Sequence, residues 1–245
     1  MTAVNQYFDN LLHLLSELPV TQGVAMERAA QAMAGCLRRD GVIYTFGTGH
    51  GHLLALEIFY RAGGPAQVCP ILDERLMLHL SAAGSTQWER EAKLVDVLLT
   101  RYPIAAGDVL VAISNSGRNA VPVRLAQRAK ERGATVIALT SLRHSSAVTV
   151  REGASAHLYE VADIVLDNGG ILGDASVEMA DGSLVGPTST AAGAALLQAV
   201  VCRVKELSLL EGWTADFFSS SNVDGGDAAN ERLIEKYRRR IPGLA

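Results

Sequence analysis

The stretch that decides the fold runs from Val109 to Asn119 and reads VLVAISNSGRN. Its first five residues are apolar and rich in β-branched side chains, which is the pattern of a strand buried on both faces. After the polar residues, an apolar side chain recurs at every fourth position, as on one face of a helix, until Gly133 ends that helix. A second buried strand is predicted at 135–139. This order predicts a βαβ unit, whose first loop lies at the carboxyl edge of a parallel sheet.

The loop of this unit has the composition of an anion-binding site. The hydroxyls of Ser114 and Ser116 alternate with the amide of Asn115, and Gly117 allows backbone N–H groups to approach a ligand closely. The helix N-terminus behind the loop stabilises a bound negative group by about 0.3–1 kcal/mol. No lysine follows the glycine, so the loop is not a Walker motif. The alternative interpretation is a polar turn with a serine cap.

Composition and charge limit the possible classes of function. The chain has 245 residues, of which 49% are hydrophobic and 20% charged, with a net charge of −4. These values predict an ordinary globular protein with an α/β core, and the slight acidity argues against a nucleic-acid partner. No run resembles a membrane span or a signal peptide, so we expect a cytoplasmic protein with no membrane partner. The cysteines are odd in number and widely spaced, and are expected to be reduced, buried thiols: Cys36, Cys69 and Cys202.

Helical periodicity precedes the first predicted strand. A helix is predicted from Val4 to Leu18 and is expected to end at Pro19. Thr21 can cap a second helix that continues to about Arg39. Both helices are expected to pack on the sheet or on a partner chain. Three further apolar runs complete a predicted set of five strands: 42–46, 67–70 and 164–167.

A second glycine-rich loop, GTGHGH at 47–52, follows the first predicted strand. His52 occupies the sixth position, where a dinucleotide fingerprint requires glycine, so that motif is excluded. The loop offers open backbone at Gly49, the hydroxyl of Thr48 and two imidazoles, of which a neutral His50 could donate to a sugar hydroxyl. The spacing HxH also occurs in metal sites, but no carboxylate or thiol partner stands at fixed spacing, and we expect no metal.

Two carboxylates are candidates for acid–base chemistry. Glu57 lies in a helix predicted from 53 to 61 and is surrounded by apolar residues. It is either a base with a raised pKa or the partner of Arg61 in an i, i+4 ion pair. Glu89 lies in a polar, irregular segment, 71–91, which also contains His79 and is expected to cover a site. A helix is predicted from Glu89 to Leu99.

The last third of the chain contains one more predicted helix with polar side chains at its N-terminus. Residues 173–182 are predicted to be a turn-rich connection. Thr188 or Ser189 then begins a helix that continues to about Leu210, and the hydroxyls there are either caps or ligand contacts. Residues 228–240 predict a charged terminal helix with a solvated face.

Three motifs taken together resemble the SIS (sugar isomerase) family of phosphosugar-binding proteins: GTGHG at 47–51, ISNSGRN at 113–119 and ADIVL at 162–166. The resemblance covers about 24–210. It implies a three-layer α/β/α sandwich with a five-stranded, mostly parallel, doubly wound sheet. The whole chain would form a single SIS domain, with N-terminal helices at 1–40, the core at 41–210 and a C-terminal extension at 211–245. It also implies a homodimer or homotetramer with shared sites and no cofactor.

The resemblance assigns roles to the loops. It implies that Ser114, Ser116, Gly117 and Asn119 hold the phosphate of a phosphosugar, although many members have threonine at the last of these positions. Gly51 stands where the family carries a serine or threonine, so a sugar contact falls to the neighbouring loop residues. The predicted substrate-binding set is Thr48, Gly49, His50, Ser114, Asn115, Ser116, Gly117, Asn119, Thr188 and Ser189.

A closer resemblance spans nearly the whole chain. The segments EIFYRAGG at 57–64 and NVDGGDAAN at 222–230 are similar to a bacterial SIS subfamily that includes an N-acetylglucosamine-6-phosphate dehydratase. It implies a 6-phospho amino sugar as substrate. Our hypothesis for the chemistry is that Glu57, or as second choice Glu89, abstracts the C2 proton, and that the C3 hydroxyl is lost with His79 or His50 as acid. Two alternatives stay open. One is an aldose–ketose isomerase of a 6-phosphosugar, and the other is a non-catalytic phosphosugar-binding regulator, although no basic recognition helix is evident before the first strand.

Overall fold

The computed structural model describes residues 2–245 of the chain. Its centre is a five-stranded sheet in the order β2-β1-β3-β4-β5, in which every pair of neighbours is parallel. The strands are β1 Ile43–Gly47, β2 Val68–Pro70, β3 Val109–Ile113, β4 Thr135–Thr140 and β5 Ile164–Asp167. The five predicted strands and the central βαβ unit are therefore confirmed.

Ten α-helices occur in the described residues: α1 Ala3–Thr21, α2 Gly23–Arg38, α3 Gly51–Glu57, α4 Ala82–Trp88, α5 Leu94–Arg101, α6 Ala120–Glu131, α7 Leu142–Ser146, α8 Leu158–Val161, α9 Ser189–Leu210 and α10 Gly226–Tyr237. Short 3₁₀ turns occupy Glu74–Leu76 and Pro242–Leu244. None of these helices is long and apolar enough to cross a bilayer.

The sheet separates two hydrophobic clusters. On β3, Leu110 and Ala112 belong to one cluster while Val109, Val111 and Ile113 belong to the other, because successive side chains of a strand point to opposite faces. Helices α5, α6, α8 and α10 cover the first face, and α2, α3 and α9 cover the second. The structure therefore has the predicted three-layer α/β/α architecture.

The boundary between the two N-terminal helices differs from the prediction. Helix α1 continues through Pro19, because the Gln22 N–H still reaches the carbonyl of Leu18 at 2.8 Å beyond it. The hydroxyl of Thr21 donates to the carbonyl of Glu17 at 3.0 Å and does not cap α2. A proline lacks only its own N–H, and one missing bond in the last turn is tolerated.

Four other expectations are corrected. The helix expected at 53–61 ends at Glu57, and the segment 71–91 contains α4 and is not irregular throughout. The helix expected from Glu89 begins at Leu94. Cys202 is exposed on α9, whereas the other two cysteines are buried as expected.

The connection between β5 and α9 contains an antiparallel hairpin, β6 Ala175–Glu178 and β7 Leu184–Pro187. The sequence predicted only turns there, since each strand has four residues and Gly182 lies between them. The hairpin lies outside the five-stranded sheet.

The C-terminal helix is less solvated than its charge suggested. Tyr237 is 1% exposed, and its hydroxyl donates to Asp216 at 2.6 Å. The same hydroxyl lies 3.1 Å from the side-chain oxygen of Gln67, just before β2. The tail therefore packs on the edge of the sheet formed by β2.

Candidate functional site

The candidate site is a cavity of about 520 Å³ at the carboxyl edge of the sheet. The loops after β1 and β3, helix α7, the β6–β7 hairpin and the first turn of α9 form its walls. Parallel strands end at one edge, so loops that are distant in sequence meet there. Eight of the predicted site residues line the cavity: Thr48, His50, Glu89, Ser114, Asn115, Ser116, Asn119 and Ser189.

The loop between β3 and α6 is folded back on itself. The Ser114 hydroxyl accepts a 3.2 Å hydrogen bond from the backbone N–H of Gly117. Gly117 has a φ of +57°, and a Cβ there would lie 2.9 Å from Oγ of Ser145. Only glycine fits this position without a shift, because the left-handed backbone and the close approach both exclude a side chain. The N-terminus of α6 follows directly, as the sequence predicted.

Four buried polar atoms of this loop and of the adjacent helix α7 have no hydrogen-bond partner within residues 2–245: Arg118 Nε, Asn119 Oδ1, His144 Nδ1 and Ser145 Oγ. Leaving one buried polar atom unpaired costs about 1–3 kcal/mol. Asn119 also occupies the N-cap position of α6, yet its side chain makes no capping hydrogen bond. Two of these residues, Asn119 and His144, line the cavity, so their unpaired atoms are available to a polar ligand there.

The second wall carries a carboxylate. Oγ1 of Thr48, in the glycine-rich loop, donates a 2.6 Å hydrogen bond to Oε1 of Glu89. The backbone carbonyl of Glu89 accepts from the N–H of Val121 in the first turn of α6. Glu89 is thus tied to both loops, and its carboxylate lies in the same cavity as Ser114 and Ser116.

The other two predicted catalytic residues lie elsewhere. The Glu57 carboxylate pairs with Arg61 at 3.1 Å and accepts from Nε2 of Gln198 at 3.0 Å, and it does not line the cavity. The ion pair predicted from the i, i+4 spacing is therefore present. His79 lines a different pocket, with Asp73 and Arg75. Neither position brings its side chain to the serine loop.

Three predicted binding residues support the site without lining it. Gly49 has a φ of +54°, which lets the glycine-rich loop turn, and Gly117 shapes the serine loop. Thr188 is buried at the N-cap of α9 and makes no side-chain cap. The cap oxygen comes from Asp174, which accepts from the N–H groups of Thr188 and Ser189 at 3.1 and 2.9 Å. It also accepts from the Ser189 hydroxyl at 2.5 Å.

Several residues of the cavity were not predicted from the sequence, among them the polar side chains of His144, Asn168 and Asp174. Asn168 is 1% exposed, and its Nδ2 donates to Oδ1 of Asn115 at 2.9 Å, which fixes the orientation of that amide. Burial lowers the pKa of His144, so the imidazole is held neutral near pH 7. The only sequence signal for Asn168 and Asp174 was their position after the last strand of a parallel sheet.

The described residues contain no group of three or more histidine, cysteine or acidic side chains that could hold a metal ion. The two histidines of the glycine-rich loop differ in burial. His50 lines the cavity, whereas His52 is 6% exposed and lies below the surface. Burial also lowers the pKa of His52.

A doubly wound parallel sheet with a polar serine loop at its carboxyl edge defines a class of α/β ligand-binding domain. The model of the SIS domain matches residues 6–141, which is more than half of the chain. The chain therefore belongs to the SIS domain family of phosphosugar-binding proteins.

Within that family, the chain is similar over nearly its whole length to UPF0309 proteins. It is 39% identical over 242 residues to one from Listeria monocytogenes serotype 4b, covering 98% of each chain. It is 43% identical over 241 residues to one from Brucella canis, again covering 98% of each.

Two solved structures share the fold. A phosphoheptose isomerase from Neisseria gonorrhoeae has a TM-score of 0.54 and 21% identity, covering 83% of this chain and 97% of that one. A phosphoheptose isomerase from Francisella tularensis has a TM-score of 0.58 and 16% identity, covering 84% of this chain and 100% of that one. At this level of identity the likeness concerns the fold alone.

Proposed function

We propose that this protein is an enzyme that removes water from N-acetylglucosamine 6-phosphate. One observation carries the proposal: a single cavity holds a serine loop with unpaired polar groups and, on another wall, a carboxylate positioned by a threonine. Dehydration of a sugar phosphate needs both: an anion site that holds the phosphate and a base that acts at the other end of the sugar. The identity of the sugar rests on the resemblance of 57–64 and 222–230 to a subfamily that includes such a dehydratase.

The phosphate is assigned to the loop between β3 and α6. Ser114, Ser116 and Asn119 line the cavity there, and Gly117, with a φ of +57°, lets the loop turn. The N-terminus of α6 adds a favourable dipole. Hydrogen bonds to a charged oxygen are about twice as strong as neutral ones, so this loop fixes the position of the substrate.

Glu89 is the proposed base. In the open-chain sugar, the proton on C2 is acidic because C2 is bonded to the aldehyde carbon C1. The carboxylate accepts that proton and the electron pair of the C–H bond forms the C2–C3 double bond. The C3–O bond breaks, and the oxygen leaves as water after it accepts a proton. A positioned base is worth about 10²–10⁴-fold in rate. Glu57 is disfavoured by its pairing with Arg61 outside the cavity.

His50 is the proposed acid that protonates the leaving oxygen. Of the two histidines first considered for this role, only His50 lines the cavity. His144 is a second imidazole in the same cavity, but its lowered pKa keeps it neutral and makes it a poor proton donor. Its proposed part is a hydrogen bond to the bound sugar.

Two other outcomes use the same cavity. Protonation of the carbanion at C1 would give an isomerase, and binding without proton transfer would give a regulator. An acylated nitrogen cannot assist ketose formation as a free amine can, which favours elimination. The presence of the Thr48–Glu89 pair inside the cavity favours an enzyme over a passive binder.

The test is direct. Purified protein is incubated with N-acetylglucosamine 6-phosphate and followed by ultraviolet absorbance and mass spectrometry. A conjugated product lighter by one water supports the dehydratase. An equal-mass ketose would instead indicate an isomerase, and unchanged substrate with measurable binding would indicate a regulator.

A further inference from the structure

The β6–β7 hairpin presents one apolar face to the cavity. Cross-strand partners are Ala175 with Pro187 and Val177 with Val185, so these four side chains lie on the same face. Three of them, Ala175, Val185 and Pro187, line the cavity, and so do Leu184 and Gly186 of the second strand. Val177 is 1% exposed. The alternation along the strands therefore gives the cavity an apolar wall.

The opposite face of the hairpin rests on α1, which fixes the direction of the apolar face. A Cβ at Gly186 would lie 2.7 Å from the ring of Tyr7. The Tyr7 hydroxyl donates to the carbonyl of Pro187 at 3.2 Å, and Asn10 donates to the carbonyl of Ser176 at 2.7 Å. The base of the hairpin is closed by the bonds from Thr188 and Ser189 to Asp174. The wall is held on two sides and is not a free loop.

The hairpin differs from the other apolar parts of the cavity in its exposure. Leu54, Ile113 and Leu139 also line the cavity, but each is at most 5% exposed, whereas Val185 is 45% exposed. Exposed apolar surface becomes favourable when a ligand covers it with an apolar group.

We propose that Ala175, Val185 and Pro187 form a subsite for the acyl methyl group on the 2-amino nitrogen of the substrate. The inference rests on the proposed function, since it assumes that a phosphosugar occupies the cavity. The proposed subsite would make the protein bind an N-acyl amino sugar in preference to a sugar without the acyl group. The hairpin lies beyond residues 6–141, the part matched by the SIS domain model, so the selecting element is separate from the phosphate loop.

The test uses two non-reactive ligands. N-acetylglucosaminitol 6-phosphate and N-formylglucosaminitol 6-phosphate lack the C1 aldehyde, so neither can be dehydrated, and they differ only by the acyl methyl. Calorimetric titration gives both dissociation constants. A missing methyl in an apolar pocket costs about tenfold, so the wild type is expected to bind the acetyl ligand about tenfold more tightly.

Val185→Thr is the test variant because it keeps the β-branched shape of the strand residue while replacing a methyl by a hydroxyl. In this variant the dissociation constants of the acetyl and formyl ligands are expected to become nearly equal, because the methyl contact that is worth about tenfold is lost. The dissociation constant of the formyl ligand, which lacks the methyl, is expected to stay within about twofold of the wild-type value. Met179→Thr is the matched control, because Met179 lies next to the same hairpin, is 39% exposed and does not line the cavity. It is expected to keep the wild-type ratio.

Equal affinity of the wild type for both ligands, or an equal loss of both in Val185→Thr, would overturn the subsite. If both ligands bind equally and Ser116→Ala weakens both, the phosphosugar site stands and the acyl subsite falls. If neither ligand binds, the proposed function falls and the subsite falls with it.

Discussion

Thr48 and Glu89 are 41 residues apart and are joined by a 2.6 Å hydrogen bond inside the cavity. The threonine belongs to the loop after β1 and the glutamate to the segment between α4 and α5. The hydroxyl donates and a carboxylate oxygen accepts, so the bond fixes the position of the Glu89 side chain. This contact converts two separate polar segments into one site.

The first prediction concerns this carboxylate. Glu89→Gln is expected to lower the dehydration rate by about 10²–10⁴-fold, because an amide cannot accept the C2 proton. The amide oxygen can still accept from Thr48, so the fold and substrate binding are expected to persist. Steady-state kinetics and the thermal midpoint check both parts.

Glu57→Gln is the matched variant. Glu57 makes its contacts with Arg61 and Gln198, and the substitution is expected to leave the rate within about twofold, far from the 10²-fold or greater loss of a removed base. Loss of activity in Glu57→Gln together with a normal rate in Glu89→Gln would reverse the assignment of the base.

The second prediction concerns the phosphate. Ser116→Ala is expected to raise KM by about 10- to 100-fold, since a hydrogen bond to a charged group contributes about 1.5–3 kcal/mol. Ser155→Ala is the control, because that hydroxyl accepts from Gln127 outside the cavity. An unchanged KM in Ser116→Ala would remove this residue from the phosphate site.

The third prediction concerns pH. Burial lowers the pKa of His52 from 6.5, against a smaller opposing effect of the Gly49 backbone, and neither buried ring nitrogen makes a hydrogen bond of normal geometry among the described residues. The unfolded chain therefore binds a proton that the folded chain resists, so this contribution to stability is present above pH 6.5 and is lost as the pH falls through the lower folded value.

His52→Leu is expected to raise the free energy of unfolding by about 1–3 kcal/mol at neutral pH, because it removes unpaired buried nitrogens. The loss of stability on acidification is expected to become smaller. Denaturant titrations at several pH values measure both effects, and His13→Gln on the exposed face of α1 is the control. An unaltered pH profile in His52→Leu would contradict the prediction.

The fourth prediction concerns Asp174, whose φ of +69° is left-handed. Asp174→Ala removes the cap of α9 and is expected to cost about 1–2 kcal/mol in the free energy of unfolding. Asp174→Asn keeps an acceptor oxygen and a side chain that tolerates this backbone, so it is expected to cost less. Equal losses in the two variants would mean that the cap contributes little.

The fifth prediction concerns assembly, which the family resemblance implies to be dimeric or tetrameric. Val4, Phe8 and Leu12 lie four residues apart on α1, and each is more than half exposed. Such a stripe is typical of an interface between helices. Phe8→Glu is expected to lower the mass measured by light scattering, whereas a monomeric wild type would contradict the interface.

The sequence by itself determined the architecture and the position of the serine loop at the edge of the sheet. The strands of the sheet, the helix that starts after Asn119 and its end at Gly133 follow from local signals: runs of β-branched residues, helical periodicity and turn residues. Each of these signals involves only a few neighbouring residues, so it can be recognised without knowledge of the rest of the chain. The resemblance to the SIS family rests on the same local motifs.

Only the tertiary structure decided which side chains share the cavity. Glu57 and Glu89 were both plausible bases, but Glu57 is the last residue of α3, three positions after Leu54, which is the last residue of that helix to line the cavity. His144, Asn168 and Asp174 reach the site because separate strands end at one edge. Contacts of this kind depend on packing between distant segments, and no local pattern encodes which of several polar residues will face the same space.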